Sequence, residues 1–376
     1  MQTDIARKLG CEVPIFAFSH CRNVVAEVTK AGGFGVLGAS TFAPELLEQE
    51  LSWIDAHVGG RPYGVDVLIP ATYDRDAEQA GASGAPESMI PEAQRAFMEA
   101  ILADAGISPL PDDERARVHR EIVEGRGNMT PDGARRLLGV ALKHPQVKLV
   151  VSALGAPPAD VVENLRRHGV MVGALCGKAS HAIRHRAAGV ELIIAQGTEA
   201  GGHTGEISTL VLVPQVVEVC PDIPVLAAGG ITRGSQIAAS LALGAQGVWC
   251  GTIWLGTRES ELSPFEKSVL YKTRAEDTVR SRVRTGKPVR MIRSRMSDAW
   301  DKADAPGYLP TPLQGILYNE IHARVVRAER SDLYSFPVGQ SVADVSEETS
   351  VREVMLRLQT EYLDVMERMA RFGASA

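Results

Sequence analysis

Eight short apolar runs, each followed by a helical segment, constrain this chain more than any other feature. The runs are 13–18, 34–40, 63–69, 147–154, 170–175, 190–196, 224–230 and 247–252. They are rich in Val, Ile and Leu and apolar almost throughout, which suits parallel strands buried on both faces. Between them lie helical stretches such as Arg22–Ala31, Pro44–His57, Pro158–His168, Lys178–Ala188, Leu210–Val219 and Gly234–Leu243. Strict βα alternation predicts a parallel sheet, and eight units without a reversal of strand order predict an α/β fold closed into a (β/α)8 TIM-type barrel. The 36 glycines supply the tight turns that so many βα junctions need.

The rhythm breaks twice. Residues 70–130 form an insertion after the third strand, with helices expected over Pro91–Ala105 and Asp112–Glu124. This segment leaves the C-terminal end of a strand, where βα loops build active sites, so it reads as a lid. The barrel is thus expected over 1–69 and 131–260. Residues 261–376 read as a helical C-terminal extension. Within it, Val354, Leu356, Leu358, Leu363 and Met366 mark an amphipathic helix packed on the barrel or on the second subunit of a homodimer.

Several function classes are excluded early. A net charge of −6 has the wrong sign for wholesale nucleic-acid or anionic-membrane binding. No apolar run reaches the length of a membrane helix, and the first residues lack a secretion signal's layout. Five cysteines without a CxxC read as reduced thiols of a cytoplasmic protein. His181 and His185 have the i, i+4 spacing of a metal pair but no third ligand on that face, so no metal is expected.

The chemistry concentrates at three consecutive strand ends. AQGTEAGGHTGE (195–206) follows the sixth strand. Its glycines let backbone N–H groups approach a ligand, Gln196 can meet a heterocycle edge with both a donor and an acceptor, and His203 can move a proton near neutral pH. Gly229 and Gly230 end the seventh strand, and Gly251 and Thr252 end the eighth. In barrels those two loops commonly cradle a phosphate. A phosphate-bearing cofactor with its ring toward the sixth strand accounts for all three, and the absence of GxGxxG or GxxxxGK[ST] excludes a dinucleotide fold or a P-loop.

AQGTEAGGHTG resembles the signature of nitronate monooxygenases and the related FMN-containing enoyl reductases. AAGGI (227–231), GAQGVWCGTIWL (244–255), VRTGKPVRMIRS (283–294), PLQ (312–314) and VGQ (338–340) resemble further blocks of the nitronate monooxygenase family in order. The resemblance implies a TIM-type barrel with non-covalent FMN and a small-molecule substrate. It places Gln196 and Gly201 against the flavin. Gly230, with the backbone of Trp249, Cys250, Gly251 and Thr252, would lie at the phosphate. His203 would be the catalytic base that takes the α-proton of a nitroalkane.

Two segments depart from the family pattern. FAFSHCRN carries His20 and Cys21 where a Pro-Met pair is usual, which makes both candidates for the substrate pocket. GVDVLIP has Asp66 where the family has Asn, and an aspartate donates a hydrogen bond only when protonated. The strip 280–295 holds six Arg and one Lys without an acid, and Arg284 and Arg290 flank the turn-forming Thr285–Pro288. Three functions follow as alternatives. The first is oxidation of alkyl nitronates with O2. The second is NAD(P)H-dependent reduction of an enoyl, acyl-CoA or quinone substrate, with the basic strip holding phosphates. The third is a non-catalytic flavin-binding protein, which would leave His203 without a task.

Overall fold

The computed structural model describes residues 1–69, 89–128, 130–153 and 155–374. The first part of the expected lid, residues 70–88, lies outside the described residues.

Eight parallel strands close into a barrel. They are β1 (Ile15–Ser19), β2 (Phe34–Gly38), β3 (Tyr63–Val67), β4 (Val147–Ser152), β5 (Met171–Cys176), β6 (Leu192–Gln196), β8 (Val225–Ala228) and β9 (Gly247–Cys250), hydrogen-bonded in that order, with β9 returning to β1. The two-residue strand β7 (Gly202–His203) is not part of the barrel. It pairs antiparallel with β11 (Val289–Ile292), which in turn pairs with β10 (Thr278–Ser281).

Alternation along each strand sorts the side chains into two layers. Ile15, Ala17, Leu37, Val65, Val67, Ile193, Ala195, Val248 and Cys250 face outward onto the helices. Phe16, Phe34, Val36, Leu149, Val151, Leu192, Ile194, Leu226, Ala228 and Trp249 fill the interior. The helix α1 (Asp4–Leu9) adds Ile5, Ala6 and Leu9 to that inner cluster and so plugs the N-terminal end, tied there by Ile5 N–H to Gln246 Oε1 at 3.1 Å. Each fully buried aliphatic or aromatic side chain stabilises the fold by about 1.5–3 kcal/mol.

The helices α2 (Arg22–Lys30), α3 (Pro44–His57), α6 (Pro131–Ala141), α7 (Ala159–Arg167), α8 (Ala179–Ala187), α9 (Thr209–Val219) and α10 (Gly234–Ala242) surround the strands. Local chemistry sets several of their ends. Thr130 caps α6, its hydroxyl accepting from Gly133 N–H at 3.0 Å, with Pro131 in the first turn. The last helix, α14 (Val351–Ala374), packs on α10 and α2 and takes the place of the eighth barrel helix. A Cβ at Gly234 would lie 2.2 Å from Tyr362 N, so glycine is what lets α10 and α14 touch backbone to backbone.

The face that α14 buries differs from the expected one. Val351, Val354, Met355 and Leu358 are buried against the barrel, whereas Leu356, Leu363 and Met366 are 65%, 63% and 45% exposed. The three- and four-residue spacing alone could not say which of two overlapping apolar stripes meets the protein.

The two interruptions meet in space. The helices α4 (Glu92–Asp104) and α5 (Asp112–Asn128) come from the insertion after β3. The segment after β9 contributes α11 (Pro264–Leu270), α12 (Arg295–Trp300) and α13 (Leu313–Arg327). Met98, Leu102 and Ile107 share one buried cluster with Trp300, Tyr318, Ile321 and Val325. Arg324, 3% exposed, bridges to Glu99 at 2.6 Å and donates to the carbonyls of Ile107 and Ser108. The insertion and the chain after β9 therefore form one cap over the C-terminal end of the barrel.

Candidate active site

The ends of β6, β8 and β9 are hydrogen-bonded neighbours, so the three glycine-rich segments lie side by side at one mouth. Gly229 and Gly230 adopt φ of +102° and +74°, a region other residues enter only with strain. The start of α10 is already capped. Gln236 Oε1 accepts from Thr232 N–H at 2.7 Å and Arg233 N–H at 3.0 Å, and Glu361 of α14 accepts from Gly234 N–H at 2.7 Å. A phosphate at this end must therefore use amides before Thr232 and those around Gly251. Trp249 faces the interior, while Cys250 faces the helices and is held thiol by burial, its pKa pushed up to about 12.

The loop after β6 is pinned at many points. Both oxygens of Glu199 accept from Thr209 N–H, at 3.1 and 2.9 Å, which caps α9. Gln340 N–H donates to Glu199 O at 2.9 Å, and Gly339 N–H to Thr252 Oγ1 at 2.9 Å. The 338–340 block thus joins two of the three strand-end segments. A Cβ on Gly201 would sit 2.7 Å from Val338 C, so the cap backbone is what Gly201 makes room for. Arg290, 8% exposed, donates to Thr198 O at 2.7 Å and to Thr278 Oγ1 at 3.1 Å. Arg280 donates to Thr204 O at 3.2 Å. These bracing contacts were missed in the sequence, where both arginines read only as members of a basic strip.

His203 pairs with Val289 in the cap sheet. Its Nδ1 lies 3.2 Å from Pro288 O. A carbonyl only accepts, so Nδ1 carries the proton and Nε2 keeps its lone pair. The ring is solvent-accessible at the mouth, yet crowded by protein. Desolvation, followed by the charges of Lys287 and Arg284, lowers its pKa, against the opposing hydrogen bond to Pro288. The imidazole is therefore neutral at pH 7 and able to accept a proton at Nε2.

His20 faces the same mouth from the end of β1. Its Nδ1 donates to Gly38 O at 2.9 Å, and a Cβ on Gly38 would lie 2.6 Å from the ring. The ring keeps solvent access, but the protein atoms crowded around it lower its pKa too, against the hydrogen bond to Gly38 and with Arg284 acting in the same direction. Cys21 does not share this position. Its thiol packs in the outer layer, donates to Glu259 O at 2.9 Å and is raised to about 11 by burial, so it is no activated nucleophile.

Asp66 alternates with the outward Val65 and Val67 and so points into the barrel, in register with Gly38 and Val151. It is 5% exposed, and no hydrogen-bond partner or counter-charge is found for it among the described residues. Burial lifts its pKa well above the ordinary carboxylate value. In its protonated form, which burial favours, the side chain can donate a hydrogen bond as an asparagine would. Gln196 lies at the end of the same interior.

His185 is 3% exposed and bonds Leu175 O at 2.9 Å, which fixes its ring within the fold, away from any pairing with His181. Among the described residues no group of His, Cys, Asp and Glu could hold a metal ion, and no helix is long and apolar enough to cross a membrane.

Comparison with known proteins agrees with this architecture. Residues 17–361 match the family model described as Nitronate monooxygenase. A Mycobacterium tuberculosis protein named "Putative monooxygenase Rv1533" is 48% identical over 373 residues, covering 97% of this chain and 98% of that protein. A Staphylococcus aureus protein named "Probable nitronate monooxygenase" is 27% identical over 90% of this chain and 91% of its own. The crystal structure of a nitroalkane oxidase from Streptomyces ansochromogenes superposes with a TM-score of 0.77 at 28% identity, covering 97% of this chain and 99% of that one.

Proposed function

The chain belongs to the nitronate monooxygenase family of flavin-dependent oxidoreductases, and from that premise we propose that it binds FMN and oxidises alkyl nitronates with O2 to a carbonyl compound and nitrite. The observation that carries the reading is the state of His203: a neutral imidazole at the barrel mouth, its Nδ1–H committed to Pro288 O and its Nε2 without a hydrogen-bond partner among the described residues.

The residues present fit FMN. Gly229 and Gly230 hold left-handed backbone conformations packed against the Glu199 loop, beside Gly251 on the next strand, where a Cβ would meet nothing nearer than Phe18 O at 4.0 Å and the backbone is open to a phosphate. Asp66 and Gln196 point into the interior below the mouth, the first able to donate when protonated and the second as donor or acceptor. When bound, FMN supplies the two-electron acceptor and the centre at which O2 reacts. The protein's own part is proton handling and orientation. His203 Nε2 takes the α-proton of a neutral nitroalkane, while a nitronate arrives without that proton and needs less from the base. The Pro288 carbonyl holds the imidazole in the required tautomer and stabilises the imidazolium once formed. Arg280 and Arg290 keep the His203 loop in place by taking up the carbonyls of Thr204 and Thr198.

Reduction of a second substrate by NAD(P)H remains the competing reaction; Arg290 is buried and engaged and so cannot hold its phosphates, which leaves Arg282, Arg284 and Lys287 of the basic strip for that role. Anaerobic mixing separates the two. A nitronate should bleach the flavin without added reductant. Bleaching by NAD(P)H alone, with nitronate inert, would replace the oxidase reading with the reductase one, and a colourless protein that fails to take up FMN would remove both.

A further inference from the structure

Arg284 is the arginine of the 280–295 strip that is held in place by aromatic rings and has no carboxylate partner among the described residues. Arg280 and Arg290 bond loop carbonyls, Arg293 pairs with Asp298 at 3.2 Å, and Arg295 pairs with Asp104 and Asp332. Arg284 instead lies over two rings, 5.3 Å from the centre of Tyr318 and 6.0 Å from that of Phe336. Tyr318 continues into a column of stacked rings, His322 and Tyr334, each step 5.6 Å, and Tyr334 is tied to Glu266 at 3.1 Å. This column fixes the guanidinium's position. No carboxylate pairs with it among the described residues, and its Nη1 is buried without a hydrogen-bond partner. A guanidinium is always charged, and a buried donor left unpaired is unfavourable, so the position suits a group that a ligand completes.

The location says which ligand. Charges on the protein bear on His20 from two residues, Arg284 and Glu261, and on His203 from Lys287 and Arg284. Arg284 is common to both, so its charge is within electrostatic reach of His20 and of His203. A dinucleotide phosphate arriving at the outer surface would meet Arg282 and Lys287, which are exposed, before Arg284, which is partly enclosed. A planar group with two oxygens matches the fork of a guanidinium.

We propose that Arg284 binds a planar, two-oxygen anionic group of the substrate, and so favours substrates that carry such a group over neutral ones at the mouth. The group is either the nitronate itself or a carboxylate carried elsewhere on the substrate. This rests on the reading of the mouth as the substrate site but not on any turnover.

The test uses the flavin-loaded protein and the perturbation of its visible spectrum by dead-end ligands. Nitrate and benzoate serve as planar anions and benzamide as the uncharged control. Arg284→Met should weaken nitrate and benzoate by about 10–100-fold, the range of a charge-assisted hydrogen-bond pair, and leave benzamide unchanged. Arg284→Lys should recover part of the loss, since it keeps the charge without the fork. Equal binding of the anions by Arg284→Met and wild type would overturn the proposal, as would a parallel loss of benzamide, which would mark a collapsed pocket. Because these are equilibrium measurements, a protein that binds anions but leaves nitronates unoxidised would sink the proposed reaction and keep the anion site. Where nitronates are oxidised, KM identifies the source. A rise for a simple alkyl nitronate places the reacting group on Arg284. A rise confined to a nitronate with a terminal carboxylate places the carboxylate there.

Discussion

The barrel and the cap are built on different terms. In the barrel, neighbours in sequence are neighbours in space: each strand pairs with the next, and each helix covers the strand pair it connects. In the cap, contacts span long separations, such as Arg324 with Glu99 and Trp300 Nε1 with Met98 Sδ at 3.2 Å. The barrel supplies the strand ends where a phosphate and a ring can sit. The cap supplies Pro288, Arg280, Arg284, Arg290 and the 338–340 segment, which decide the tautomer, the charge and the shape around His203. His203 itself belongs to both: it lies on a barrel loop by sequence and in a cap sheet by pairing. The proposed catalytic site is thus a seam between the two regions.

The largest effect should come from the seam. His203→Asn is expected to keep FMN and to lower oxidation of neutral nitroalkanes by about 10²–10⁴-fold, with nitronate oxidation reduced far less. Stopped-flow reduction of the bound flavin by each substrate checks this. Equal rates in variant and wild type for the neutral nitroalkane would reduce His203 to a structural residue of the cap sheet.

Cavities placed on either side should divide the two regions. Leu358→Ala on α14 and Ile321→Ala on α13 each remove a buried aliphatic group, at a cost of about 2–5 kcal/mol. The first should loosen the barrel wall behind α10 and release flavin at lower denaturant. The second should raise KM while the protein holds its flavin. If both variants lose flavin in step with unfolding, barrel and cap form a single cooperative unit and the division fails.

Gly201→Ala pushes the two regions apart by one methyl group. The added Cβ meets the Val338–Gly339 backbone at 2.7–2.8 Å, so strain of about 1–3 kcal/mol is expected. Hydrogen exchange should rise at Gly339 and Gln340, whose amides bond Thr252 and Glu199. Unchanged protection there would mean that the cap segment yields without cost.

The smallest effect is a pH dependence inside the barrel. An unfolded chain releases the Asp66 proton near the ordinary carboxylate value of about 3.9, whereas burial keeps it on the folded protein to higher pH. Between those two values the folded state binds more protons, so stability contributed by this group falls as pH rises. Asp66→Asn removes the titration. The apoprotein variant should gain on wild type by about 1–3 kcal/mol toward neutral and alkaline pH, with the gain vanishing in acid. Urea midpoints compared at several pH values would show it, and a constant difference would mean that Asp66 is already ionised in the fold.

Much of the candidate site was legible because its residues lie at the ends of strands that the apolar runs announce. Gln196, Gly229, Gly230, Gly251 and Thr252 could be placed at one mouth from the order of elements alone. The partners of those residues were not legible. Nothing in VGQ reveals that its amides bond Glu199 and Thr252, since 87 positions separate Gly339 from Thr252. His20 and Cys21 read alike, yet one faces the mouth and the other the outer layer, because the chain turns from strand to helix between them. The apolar stripe of α14 divides for a related reason: Val354 and Leu358 meet the barrel while Leu356, Leu363 and Met366 stay exposed, because the neighbours α10 and α2 select among the apolar residues around that helix.

By itself the sequence determined the barrel, the position of its glycine-rich mouth and the identity of His203, since these follow from short-range periodicity and from residue types at strand ends. Only the tertiary structure decided the working state of each group. It fixed the His203 ring against Pro288 and lowered its pKa, raised that of Asp66 through burial, made Arg290 a brace and left Arg284 without a carboxylate partner among the described residues. The physical reason is that protonation and pairing depend on desolvation and on charges a few ångströms away in space, and in this protein those neighbours arrive from two insertions that the strand rhythm does not describe.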